Sequence, residues 1–134
     1  MTLADTGPIV ALVNRADRFH GWALAQTKVL PGPLHPCEPV LTEALFILSS
    51  SEIAVGRLFD LLDAGVVRVD VEMHPHLVRI RALMSKYHDV PMSFADACLV
   101  VLAELLGEPI FTLDFDFRIY RKHGREPLVL VIPD

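Results

Sequence analysis

Residues Thr2 to Asn14, TLADTGPIVALVN, place a strand, an acid and a helix start in direct succession. Thr2 to Asp5 is a short apolar run that ends on a carboxylate. Thr6-Gly7-Pro8 suits a helix start, because proline in a first turn gives up only an N–H that has no acceptor inside the helix. The same alternation continues along the chain. Further strand candidates are Leu34 to Cys37, Val66 to Asp70, Pro109 to Leu113 and Leu128 to Ile132. Helical patterns fill the gaps over His20 to Leu30, Val40 to Ser49, Glu52 to Ala64, Pro75 to His88, Phe94 to Leu106 and Asp116 to Lys122. Gly65 and Gly107 each follow a helical pattern and precede an apolar run, as C-terminal caps do. This order predicts a parallel sheet of four to five strands flanked by helices.

The chain has 134 residues, 52% of them hydrophobic, and a mean hydropathy of +0.42. That is material for one domain spanning 1–134 with a sizeable core and no room for a second. The longest apolar runs fall far below the roughly 20 residues a membrane span needs. Met1-Thr2-Leu3 lacks the basic start of a signal peptide, so a cytoplasmic location is expected. Cys37 and Cys98 lie far apart in apolar surroundings and read as buried free thiols. The net charge of −5 argues against a strongly basic nucleic-acid clamp, although an enzyme that spends acids on a metal site keeps its capacity to act on RNA.

The acids themselves are unusually placed. Asp5 is the only charge in residues 1–14, Glu43 the only one between Pro39 and Ser51, and Asp96 the only one between Val90 and Ala103. Asp114 and Asp116 follow in FTLDFD. Carboxylates set in apolar segments tend to be buried, and a buried carboxylate persists only when something positive or hydrogen-bonding compensates it. Asp5 and Asp114 end strands, and in open parallel sheets the carboxyl ends of strands border the ligand crevice. Right-handed connections bring Glu43 and Asp96, near helix starts, toward the same edge. Two such charges 4 Å apart repel by about 4 kcal/mol at an effective dielectric of 20, so a cluster calls for a metal or a shared proton. Hard oxygen ligands without a compact His/Cys pattern select Mg²⁺, with Mn²⁺ as the alternative, over zinc.

Each acid also has an ordinary structural role open to it. Asp5 can cap the helix that begins near Gly7, Ser93-Phe94-Ala95-Asp96 fits a capping box, and Asp114 or Asp116 can cap a short helix after the strand. Glu43 is the member least explained this way, since no Lys or Arg lies within a turn or two of it. The helix Ala95 to Leu106 is apolar nearly all round, which fits either a central core helix or a homodimer contact.

These residues resemble those of the PIN-domain nucleases, and within them the VapC-like toxins of toxin–antitoxin pairs. LADTGPIVALVN, LTEALFIL, PMSFADACLVVLAELLG and PIFTLDFDFRIYR occur in family order and spacing over almost the whole chain. The resemblance implies a three-layer α/β/α sandwich with a central parallel sheet, Mg²⁺-dependent endoribonuclease activity, homodimers, and in many cases a small antitoxin partner. It makes Asp5, Glu43, Asp96 and Asp114 the acidic quartet, with Asp116 an additional acid and Thr6 and Thr112 hydroxyl-bearing neighbours. One departure is visible: Ser93 stands where many close members carry a second Asp.

The chemistry implied is phosphodiester hydrolysis by a metal-activated water, with Asp5, Asp96, Asp114 and Asp116 toward the metal. Arg118, Arg121, Lys122 and Arg125 follow the acidic pair and are candidates for RNA phosphate contact, with Phe117 and Tyr120 among them for base stacking. The competing reading of that stretch is a solvated helix face with its aromatics packed inward. A receiver-type phosphotransfer domain would need an acidic pair after the first strand and a lysine ending the last one, and the chain has neither. The remaining rival is a PIN-like binding module that keeps the acids and acts through a protein partner.

Overall fold

The first strand runs straight into a helix: Asp5 is still extended and donates its N–H to the Phe111 carbonyl, while its side chain caps the helix that follows. In the computed structural model, which describes residues 1–134, β1 (Thr2–Ala4) leads directly into α1 (Thr6–Val13). Then come α2 (His20–Thr27), β2 (Leu34–His35), α3 (Glu38–Ile47), α4 (Glu52–Asp63), α5 (Leu77–Lys86) and α6 (Phe94–Leu106). The chain closes with β3 (Ile110–Phe111), a 3₁₀ turn (Phe115–Arg118), the hairpin β4 (Arg121–Lys122) and β5 (Glu126–Pro127), and β6 (Leu130–Val131).

The main sheet is wholly parallel in the order β2-β1-β3-β6. Its register pairs Leu3 with His35 on one side and with Ile110 on the other, and Phe111 with Val131. Strand alternation then sorts the core. Leu3 and Ile110 face the layer containing α5 and α6, whereas Ala4 and Phe111 face α1, α2 and α4. The result is the parallel sheet flanked by helices that the alternating pattern predicts, in the α/β/α sandwich that the resemblance implies. Val66 to Asp70 is not a full fifth strand: it makes one bridge, Val67 to Leu34, held by two backbone hydrogen bonds to Leu34.

Helix α6 carries its own punctuation. Ser93 accepts the Asp96 N–H and Asp96 accepts the Ser93 N–H, and Gly107 ends the helix at φ 69°, a conformation that favours glycine. Ala95 and Ala97 to Ala103 are all buried by this chain's own layers. The all-round apolarity of this helix therefore reflects a central core helix and is no argument for a dimer contact. Cys37 and Cys98 are free and buried in the same cluster, where hydrogen bonding to Cys98, and then burial, pushes the Cys37 thiol up.

The expected helix Asp116 to Lys122 is replaced by the 3₁₀ turn and the first strand of the hairpin. The backbone N–H of Arg121 donates to the Tyr87 hydroxyl at 3.0 Å, so it is lost to any helical ladder. The Arg121 guanidinium donates to the carbonyls of Arg118, Ile119 and Tyr120, closing the turn from its C-terminal end. Arg79 on α5 pairs bidentately with Glu104 on α6, and the His123 N–H donates to the same carboxylate and fastens the hairpin to α6. No helix is long and apolar enough to cross a membrane.

Candidate metal and nucleic-acid site

At the carboxyl ends of β1 and β3 a cleft of about 630 Å³ opens, lined by Asp5, Thr6, Glu43, Ser93, Asp96, Asp114, Phe115 and Asp116, among others. A depression of about 690 Å³ beside α3 holds Glu38, Glu72 and His74 but none of the strand-end acids. All five acids singled out by their isolation thus line one cleft. Four elements deliver them: the end of β1, the middle of α3, the first turn of α6, and the turn after β3.

Local hydrogen bonds fix each carboxylate. Thr6 N–H donates to Asp5 Oδ1 at 2.8 Å and the Thr112 hydroxyl donates to Asp5 Oδ2 at 2.7 Å. The same Thr112 oxygen accepts the Asp114 N–H at 2.9 Å, coupling the ends of the two strands. Asp114 Oδ1 accepts the Asp116 N–H, which makes Asp114 the cap of the 3₁₀ turn. The Thr6 hydroxyl donates to Glu43 Oε2 at 2.8 Å, so an exposed glutamate on α3 is held toward the strand ends. Asp96 Oδ2 takes both the Ser93 N–H at 3.3 Å and the Tyr120 hydroxyl at 3.0 Å, which leaves Oδ1 without a protein donor. The capping and site readings of these acids are therefore compatible, because an ionised carboxylate has about four lone-pair positions and a cap uses one.

Asp5 is only 6% exposed, and burial raises its pKa from 3.8 to about 6. The Thr112 and Thr6 bonds oppose that rise, while the charges of Asp96 and Asp114 add to it. Burial likewise raises Asp96, against the bonds from Tyr120 and Ser93 and with the charge of Asp114. Tyr120 is pushed up by burial and by the Asp96 carboxylate, so it stays a donor at any ordinary pH. The molecule's two ion pairs, Arg68–Asp70 and Arg79–Glu104, lie outside the cleft, and no basic side chain lines it. The repulsion among its acids is met by no ion pair within the cleft.

The donor set fits a hard divalent cation. No three of the acids converge into a ready-made cage. Mg²⁺ seldom requires one, since it keeps several waters and binds through one or two carboxylates together with substrate phosphates.

The basic stretch is less uniform than the sequence reading had it. Arg118 and Arg125 are exposed, Arg121 spends its guanidinium on backbone carbonyls, and Lys122 sits partly covered in β4. Phe117 and Tyr120 are fully buried and stacked edge to face at 5.2 Å, with Tyr87 5.1 Å beyond. They are core anchors and offer no face to a base. Phe115, which the sequence reading passed over, is the aromatic at the cleft, half exposed and with the Arg118 guanidinium 4.6 Å from its ring centre. Its signal was its position between two acids that share one turn. Tyr120 was missed as the partner of Asp96, because nothing local links residues 24 positions apart.

The fold and cleft define an α/β/α protein with carboxylates gathered at the ends of parallel strands. The family model described as the PIN domain matches residues 2–122, and the chain belongs to that family. No curated protein matches the sequence. Among solved structures, the chain is similar to the Mycobacterium tuberculosis VapC20, described as a sarcin–ricin loop cleaving toxin, with a TM-score of 0.76 and 21% identity over 87% of this chain and 92% of that one.

Proposed function

We propose that the protein is a divalent-metal-dependent endoribonuclease, and the toxin of a toxin–antitoxin pair, active in the cytoplasm and as a homodimer. The observation that carries the nuclease reading is the cleft of five carboxylates with no cation of its own. PIN-family membership supports it, and the similarity to a toxin that cleaves an RNA loop supports the choice of RNA.

In this reading Asp5 and Asp96 would hold Mg²⁺, or Mn²⁺, Asp114 would complete the set, and Asp116 would support a second ion. When bound, the ion supplies charge neutralisation at the phosphate and lowers the pKa of attacking water. The residues do the rest. Thr112 ties Asp5 to the backbone of Asp114, so the two strand-end acids keep one geometry. Tyr120 and Ser93 hold Asp96 by Oδ2 and present Oδ1 to the cleft. Glu43, steadied through Oε2 by Thr6, keeps Oε1 to orient the water. Pre-set carboxylates of this kind reduce reorganisation during the reaction.

The test is incubation of the purified protein with mixed structured and single-stranded RNA. Cutting should need Mg²⁺ or Mn²⁺, stop with EDTA, and fall by at least about 100-fold in Asp5→Asn. Cutting indifferent to both controls would overturn the assignment. The alternative, a binding module that cuts nothing, is favoured by an apolar groove of about 180 Å³ lined by Leu12, Leu24, Leu30, Leu61 and Val66. It predicts no cutting with any divalent ion. A small protein encoded beside this chain that binds it and silences cutting would support the toxin role.

A further inference from the structure

Phe115 is an apolar ring in a polar place. It lines the acid cleft with half its surface exposed, between Asp114 and Asp116, neither of which can pack against it favourably. The turn that carries it is rigid, because Asp114 caps it, Phe117 anchors it in the core, and Arg121 closes its end. The Arg118 guanidinium lies 4.6 Å from the centre of the ring and is itself exposed. Arg118 is thereby the cation brought to the edge of a cleft that has no basic lining of its own.

We propose that Phe115 and Arg118 form a nucleobase platform, on which an unpaired base of the RNA stacks while Arg118 meets the adjoining phosphate. A flat cation stacked over a flat ring suits any base, since stacking is tolerant of sequence. It does not suit a duplex, whose base faces are already covered, so the substrate is a looped or single-stranded RNA with a base free to splay out. The inference builds on the ribonuclease reading and adds to it the residues of this chain that take an unpaired base and its phosphate.

The experiment uses the full chain with Ca²⁺ in place of Mg²⁺, an RNA hairpin bearing 2-aminopurine in its loop, and a blunt duplex of the same composition. Wild type should quench the loop fluorescence and bind the hairpin more tightly than the duplex. Phe115→Ala should weaken hairpin binding by about tenfold, inside the ~1–3 kcal/mol measured per stacked base, and Phe115→Trp should restore it. Arg118→Ala should weaken it most at low salt. With Mg²⁺, Phe115→Ala should raise KM and leave kcat nearly unchanged. Hairpin binding and quenching that survive Phe115→Ala, or an equal loss on the duplex, overturn the platform. So does a Phe115→Ala variant that changes only self-association or protein binding. Quenching without any cutting by wild type keeps the platform and removes the nuclease reading. Cutting that ignores Phe115→Ala does the reverse.

Discussion

Asp5 carries the largest electrostatic cost in the cleft. Its pKa in the folded chain lies at about 6 against 3.8 ordinarily, chiefly through burial, so ionising it opposes folding. Because the folded value is the higher one, its stabilising contribution is complete below about pH 4 and is lost as pH rises through about 6. A shift from 3.8 to about 6 corresponds to about 3 kcal/mol at most. Asp5→Asn should therefore make the metal-free protein more stable at pH 8, by roughly 1–2 kcal/mol once the amide's poorer match to the Thr112 hydroxyl is counted. Urea midpoints measured in EDTA should show that gain at pH 8 and none at pH 4; an equal difference at both would contradict the burial argument. Tyr120→Phe addresses the neighbouring acid. It removes one donor from Asp96 while the ring keeps its packing, so the fold should lose about 1–2 kcal/mol. Mn²⁺ affinity, followed by titration, should fall severalfold, and an unchanged affinity would mean that the Asp96 orientation does not depend on Tyr120.

At the scale of elements, α6 joins stability to the site through one residue. Ser93 caps the helix and its N–H holds Asp96, so Ser93→Ala should cost about 1 kcal/mol in thermal or chemical unfolding. Ser93→Asp is the more informative change. Aspartate caps a helix as well as serine does, so the helix should persist, while the added charge raises repulsion with Asp96 and Asp5. The variant should melt lower than wild type in EDTA and gain more from added Mg²⁺; equal melting in EDTA would show that the new carboxylate turns out to solvent. The stretch after β3 teaches a different lesson. Phe117 and Tyr120 recur at a helical interval and are both buried, as an amphipathic helix would have them, yet Arg121 donates its N–H to Tyr87 and the chain turns into a hairpin. A hydroxyl 34 positions away outcompeted the local pattern.

At the scale of the molecule, the cleft exists because the sheet register sets two strand ends side by side. An ion bound there links metal, pH and folding. Mg²⁺ or Mn²⁺ should raise the melting temperature, with a free-energy gain of about 1.4 kcal/mol at ten times the dissociation constant. The gain should shrink at pH 5, where Asp5 is largely protonated, and a calorimetric gain equal at pH 5 and pH 8 would exclude Asp5 as a ligand. By itself the sequence determined the succession of strands and helices up to β3 apart from the Val66 to Asp70 segment, the parallel α/β class, the caps at Ser93 and Gly107, and the acids standing apart in apolar runs. Those features are set by near neighbours: periodicity, capping and local charge act within a turn or two of the chain. Only the tertiary structure decided that Thr112 reaches Asp5 across 107 positions, that Thr6 holds Glu43, that Tyr120 serves Asp96, that Phe115 rather than Phe117 meets the cleft, and that α6 is covered by its own layers. Such pairings depend on which strands lie adjacent and which side chains fill the space between layers, and those are settled by packing the whole chain at once.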